Sequence, residues 1–177
     1  MLQPSNLSVA VISSVAFVKV AGRANFTISV NFKTLLHELE HQGFHRFVLD
    51  LTDCPIMDST FLGVLARISM DLEGQRAGLV GQPITLLNPN AKVADLLDNL
   101  GVFSLFGVRN TGVQPPADYQ AAAALVGPAP TKEQISRNCL DAHLALMAAN
   151  PENIPKFKDV AKFLEEDLKR GKSNGTC

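Results

Sequence analysis

Hydrophobic and polar positions change period several times along this chain, and each change predicts an element. Ser8–Ser13 (SVAVIS) and Val15–Val20 (VAFVKV) are β-branched and alternating, two strands turning about Ser13-Ser14, with Ala21-Gly22 closing the second. A helical period follows: Ile28, Phe32, Leu35, Leu36 and Leu39 share one face until Gly43 stops it. Phe47–Leu51 (FVLDL) is short and mostly apolar, as a strand covered on both faces should be. After Pro55 a second helix, about Thr60–Glu73, is apolar at Phe61, Leu62, Val64, Leu65 and Ile68. Ile84–Leu87 (ITLL) reads as another buried strand, and Asn88-Pro89-Asn90 as a turn. Val93, Leu96, Leu97 and Leu100 give a third helix before Gly101, and Val102–Phe106 is the last expected strand.

The order β-β-α-β-α-β-α-β implies an α/β fold, a mixed β-sheet flanked by helices, over residues 1–110. Residues 111–130 carry Pro115, Pro116, Pro128 and Pro130 around an alanine-rich stretch, a linker with one short helix. Residues 131–170 predict a C-terminal helical hairpin. Thr131 caps a stripe of Ile135, Cys139, Leu140, His143, Leu144 and Met147, and Ile154, Phe157, Val160, Ala161, Leu164 and Leu168 make the second stripe. Two short helices cannot bury both stripes on each other, so the pair must pack on the domain, on a second copy or on a partner. Residues 171–177 read as a frayed tail.

Charge narrows the partners. Lys and Arg number 16 and Asp and Glu 17, and neither half of the chain is strongly basic. With no Trp and one Tyr, there is neither a phosphate-binding stripe nor a set of stacking platforms, so no nucleic-acid partner is expected. No apolar run reaches the length of a membrane span, and the N-terminus lacks a signal-peptide pattern. Three cysteines without paired spacing (Cys54, Cys139, Cys177) suggest free thiols in a reducing compartment. The expectation is a cytoplasmic protein.

His37-Glu38-Leu39-Glu40-His41 fits H-E-x-x-H, in which two histidines one turn apart hold zinc and the glutamate acts as base. The motif lies off the apolar stripe of its helix, carries the charged Glu40 inside it and lacks a third ligand at the expected offset. We assign no metal to His37 and His41, and no cofactor elsewhere; a zinc hydrolase stands only as a third alternative.

The stretch 46–65, RFVLDLTDCPIMDSTFLGVL, holds more chemistry. A buried strand and a loop lead to Asp58-Ser59-Thr60 at the start of an apolar helix, where backbone N–H groups point outward. One reading makes Asp58 or Ser59 a helix cap, worth about 1 kcal/mol. Another makes Ser59 a phosphoacceptor, because a helix N-terminus favours an added anion. A phosphoserine there would add about −1.5 to −2 charges beside Asp58, spoiling any apolar surface offered by Phe61 and Val64.

From about Ser8 to Gly107 the chain resembles a STAS domain, the family named for sulfate transporters and anti-sigma factor antagonists. The element order, the strand and loop VLDLTDCPIMDSTFLGVL, and Val20-Ala21-Gly22-Arg23 before the first helix carry the likeness. In bacterial antagonists the loop reads D-S-[S/T]-G-L-G-V, and the first serine is phosphorylated by a kinase that is also the anti-sigma factor. The resemblance places that serine at Ser59, with Thr60 beside it, and implies partner contacts at Asn25, Asp58, Thr60, Phe61 and Val64. It implies a non-enzymatic switch: the unmodified form binds an anti-sigma factor or serine-kinase-like partner, and phosphorylation breaks the complex. Phe61 departs from the usual glycine, and Asn25 from the usual aspartate of G-x-x-D. The alternative is a scaffold or small-ligand sensor on the same fold that docks through residues 131–170, which leaves a homodimer open. Cys54 and Met57 read as packed core residues, and His143 as a half-buried histidine interrupting its stripe.

Overall fold

The computed structural model describes residues 4–75 and 80–173; Cys177 and residues 174–176 of the expected tail lie outside the described residues. Strands β1 (Asn6–Ile12) and β2 (Val15–Ala21) form the expected hairpin, paired Asn6 to Ala21 through Ile12 to Val15. Ser13 takes the left-handed conformation (φ 55°) that so tight a turn requires. Three crossovers then run through α1 (Phe26–His41), β3 (Phe47–Asp50), α2 (Ser59–Gln75), β4 (Ile84–Leu87), α3 (Ala91–Asn99) and β5 (Gly107–Arg109). β2, β3, β4 and β5 are parallel neighbours, and the sheet order is β5-β4-β3-β2-β1-β6, with β6 (Gln120–Ala121) antiparallel on β1.

Successive crossovers of one hand place their helices on one face. There Ala16, Val18, Val20, Leu49 and Leu86 pack with Phe32, Leu35 and Leu39 of α1, Leu62 and Leu65 of α2, and Val93 and Leu97 of α3. The other face carries Phe17, Val48 and Leu87 beneath Val113 and Tyr119. Strand β3 is thus covered on both sides, as its mostly apolar run foretold.

Two expectations change. Val102–Phe106 is not a strand: Phe103–Leu105 is a 3-10 turn, and the strand comes later, at Gly107. Gly101 (φ 62°) closes α3, and the Val102 N–H reaches back to the Leu97 carbonyl, so Val102 belongs to the helix cap. Residues 111–130 do more than link. β6 extends the sheet, α4 (Ala123–Val126) follows it, and the Tyr119 hydroxyl donates to buried Asp50 Oδ2 at 3.0 Å. Val113 and Tyr119 strap the helix-free face, after which the chain crosses the sheet edge and packs Ala122 and α4 against α1 on the other face.

Helices α5 (Lys132–Ala149) and α6 (Ile154–Ser173) form the hairpin. Thr131 begins α5 with a full capping box: its hydroxyl accepts from Gln134 N–H, and Gln134 accepts from Thr131 N–H. α5 lies against α2, and α6 packs on α5. Of the three partners open to the apolar stripes, the domain is the one α5 takes.

Candidate functional site

The loop after β3 runs beside the turn after β2. Ala24 and Met57 form a parallel bridge, and the Asp58 N–H donates to the Ala24 carbonyl at 2.9 Å. This brings the first turns of α1 and α2 side by side. Asn25 caps α1 by accepting from Thr27 N–H at 3.1 Å. Asp58 caps α2 by accepting from Phe61 N–H at 2.8 Å through Oδ1, while Oδ2 accepts from Phe26 N–H, also at 2.8 Å. One carboxylate therefore serves two helix starts, and a neutral Asn25 suffices beside it.

Because Asp58 is the cap, Ser59 is the first residue of α2 and its hydroxyl is released from capping. Ser59 is half-buried, and its Oγ lies 3.3 Å from Nε2 of His143 on α5. Thr60 is buried, and its hydroxyl donates to Cys139 Sγ at 3.7 Å. Asn25, Asp58, Ser59 and Thr60 are thus gathered at one end of the helical layer.

Phe61 and Val64 are placed differently from the apolar surface expected of them. Phe61 is fully buried, its ring tilted against Phe32 with centroids 4.6 Å apart, and Val64 lies under α5. Glycine at position 61 would leave a hole that the aromatic pair fills. The missed signal was in α2 itself, which buries every residue from Thr60 to Ala66. A helix apolar all round is buried on more than one side.

His143 is buried rather than half-buried and stacks on Phe157 of α6, centroids 4.9 Å apart. Its Nδ1 finds no hydrogen-bond partner among the described residues. Burial holds its pKa below the ordinary value; the Cys139 backbone and the Asp58 charge oppose this in part, without completing a bond to Nδ1. Burial also pushes the thiols of Cys54 and Cys139 up, away from the reactive thiolate. Cys54 and Met57 are core residues.

His37 and His41 are exposed on α1, and His37 Nδ1 lies 3.7 Å from Glu40 Oε2. No group of three or more His, Cys, Asp or Glu side chains among the described residues is arranged to hold a metal. No described helix is long and apolar enough to cross a membrane.

The family model of the STAS domain matches residues 6–114. The fold is similar to that of a candidate anti-sigma factor antagonist from Thermotoga maritima, TM1081. Its crystal structure superposes with a TM-score of 0.51 at 21% identity, over 59% of this chain and 86% of that one. The anti-sigma factor antagonist SpoIIAA in its unphosphorylated form gives a TM-score of 0.50 at 16% identity, over 59% and 88%. No curated protein matches the chain. Residues 115–177, with α5 and α6, lie beyond the family match.

Proposed function

The chain belongs to the STAS domain family, and from that premise we propose that it is a non-enzymatic partner-switching regulator controlled by phosphorylation of Ser59. The carrying observation is the position of Ser59: first residue of α2, hydroxyl free of capping, beside a second helix start. Two helix N-termini there offer partial positive charge to an incoming phosphate. Thr60 is the neighbouring hydroxyl, but its burial makes it the poorer acceptor.

The partner class is an anti-sigma factor or serine-kinase-like protein, taken from the family and from the description of SpoIIAA as an anti-sigma factor antagonist. Its footprint would include Asn25, Asp58, Ser59 and Thr60, all at the joined helix starts. Phe61 and Val64 would support this surface from beneath. A hundredfold loss of affinity on phosphorylation corresponds to about 2.8 kcal/mol. A dianion beside the Asp58 carboxylate in a desolvated contact is of that order. The role needs no catalytic group or cofactor in the domain, and we place it in the cytoplasm.

Incubation with candidate serine kinases followed by mass spectrometry is the direct test, paired with capture of partners by wild type and Ser59→Asp. An unmodified Ser59, together with equal binding by Ser59→Asp, removes the switch. The scaffold reading, with a homodimer through residues 131–170, has less room. α5 already uses most of its stripe on α2, which leaves Leu144 and the outer face of α6, including Phe163, for a second copy.

A further inference from the structure

We infer that the α5–α6 hairpin is a detachable in-chain cover over the Ser59 face, an autoinhibitory element that must lift before that face can be phosphorylated or bound. The cover itself is argued from the packing of this chain, and its regulatory meaning rests on the proposed role of Ser59.

Contact comes first. His143 stands 3.3 Å from the Ser59 hydroxyl, so a phosphoryl group on that side, with its three outer oxygens, would have to displace the imidazole. Further along α2, a side chain at Gly63 would collide with the Ala142 carbonyl and come within 2.8 Å of Ala142 Cβ. α5 therefore packs closely on the α2 backbone, burying Thr60 and leaving Ser59 half-buried, so the approach to that face is narrowed.

The seam has the character of a contact that opens. Among the described residues the buried polar side chains are Ser29, Asp50, Thr60, Ser69, Asn138, His143 and Asn153. Four of them, Ser29, Thr60, Asn138 and His143, meet across the α5 seam, where Asn138 donates to Ser29 Oγ at 2.8 Å. Asn153 sits at the corner of the hairpin, donating to the Leu100 and Leu146 carbonyls. Away from the seam, Ser69 of α2 donates to the Leu105 carbonyl and the helix-to-sheet core is otherwise largely apolar, a core that Ala142 and Leu146 of α5 join. Polar groups concentrate where a surface must also be stable in water, since burying them gives little net stability and leaving them unmatched costs more. His143 Nδ1 is one such unmatched group. A cleft of about 280 Å3 bordered by Val64, Ile68, Asn138 and Ala142 leaves the seam incompletely filled. The connection is suited to motion as well: Gly127, Pro128 and Ala129, just before α5, are exposed.

Amide hydrogen exchange on the full chain tests this without any partner. Two variants load the seam by different means. Gly63→Ala improves the intrinsic helix propensity of α2 while forcing a methyl group against Ala142. Ser59→Glu is favourable at a helix start but too large for the gap to His143. Each is expected to accelerate exchange across 132–173 at least tenfold over wild type while β2, β3 and β4 keep wild-type protection; Ser59→Ala, which removes one hydrogen bond and inserts no bulk, is expected to accelerate it by no more than about threefold. Unchanged exchange in either variant overturns the inference, because the hairpin would then not yield at the seam. Acceleration spread evenly over sheet and hairpin overturns it too, because the hairpin would be an integral part of the core. If the hairpin loosens alone while kinases and partners ignore Ser59, the cover stands and the proposed switch falls.

Discussion

The carboxylate of Asp58 accepts the Phe26 N–H across 32 positions of sequence at 2.8 Å, while capping its own helix at Phe61 with the other oxygen. One side chain fixes the relative height of two helices. Loss of a single cap costs about 0.5–2 kcal/mol, so Asp58→Ala should cost roughly 1–4 kcal/mol by removing two. Asp58→Asn, which keeps one acceptor oxygen, should cost less than half of that. Urea denaturation followed by circular dichroism measures both; equal losses for Ala and Asn would show that a single retained acceptor oxygen rescues neither helix start.

How much of this was legible in the sequence depends on range. The alternation of Val15–Val20 and the stripe of Phe32, Leu35 and Leu39 reach only to the next element, and they placed the hairpin and crossovers correctly. The helix start at Asp58-Ser59 was visible because capping is local. The pairing of Ser59 with His143 joins positions 84 apart, and no period encodes which stripe meets which. Its traces were a histidine interrupting an apolar stripe and a first half of α2, up to Ala66, without a charged residue on any side. Strand β6 is two residues long, too short to show any alternation.

Tyr119 gives a spectroscopic handle on the strap. Burial first, then the charge of Asp50 and the hydrogen bond to it, pushes the phenol pKa up from its ordinary value near 10. A neutral acid whose folded value is raised contributes stability that is fully present below about pH 10 and lost as pH rises beyond it. Tyr119 is the sole tyrosine, and tryptophan is absent, so tyrosinate absorbance reports this group alone. We expect little ionisation in the native chain at pH 10–11 and ordinary titration in urea. A native midpoint near 10 would mean that the strap is open in solution.

His143 predicts an acid response of the opposite sense. Its lowered pKa means that the undocked state binds the proton more tightly, so docking gains stability as pH rises. That contribution is fully present above about pH 6.5, the ordinary histidine value, and fades as pH falls toward the lowered one. The facing groups are Asp58, the Cys139 backbone, Ser59 and Phe157, and Asp58 works against the shift. Between pH 7 and 5, the protection of α5 amides, corrected for the intrinsic exchange rate at each pH, should fall in wild type, and His143→Leu should lose most of that dependence. An identical pH profile in His143→Leu would assign the response to another group.

Asn153 is where the hairpin is fastened at its far end. The side chain is fully buried, and its amide donates to the Leu100 carbonyl at 2.8 Å and to the Leu146 carbonyl at 2.9 Å. Lys156 adds a bond from Nζ to the Asn99 carbonyl at 2.7 Å, so the end of α3 is held from α6 as well as from the corner. Asn153→Ala removes one of two donors from each carbonyl, since the Asn150 N–H still reaches Leu146 and Asn150 Nδ2 still reaches Leu100, so the loss is about 1 kcal/mol for each bond removed. Lys156→Ala removes an exposed contact and should cost well under 1 kcal/mol. Because the Asn153 amide bonds join the hairpin to the end of α3 and reach no strand, its loss should show first as cleavage near Gly127–Pro130 in limited proteolysis, with the N-terminal fragment up to about that point surviving. Cleavage scattered through that fragment at the same rate would mean that hairpin and sheet unfold as one unit.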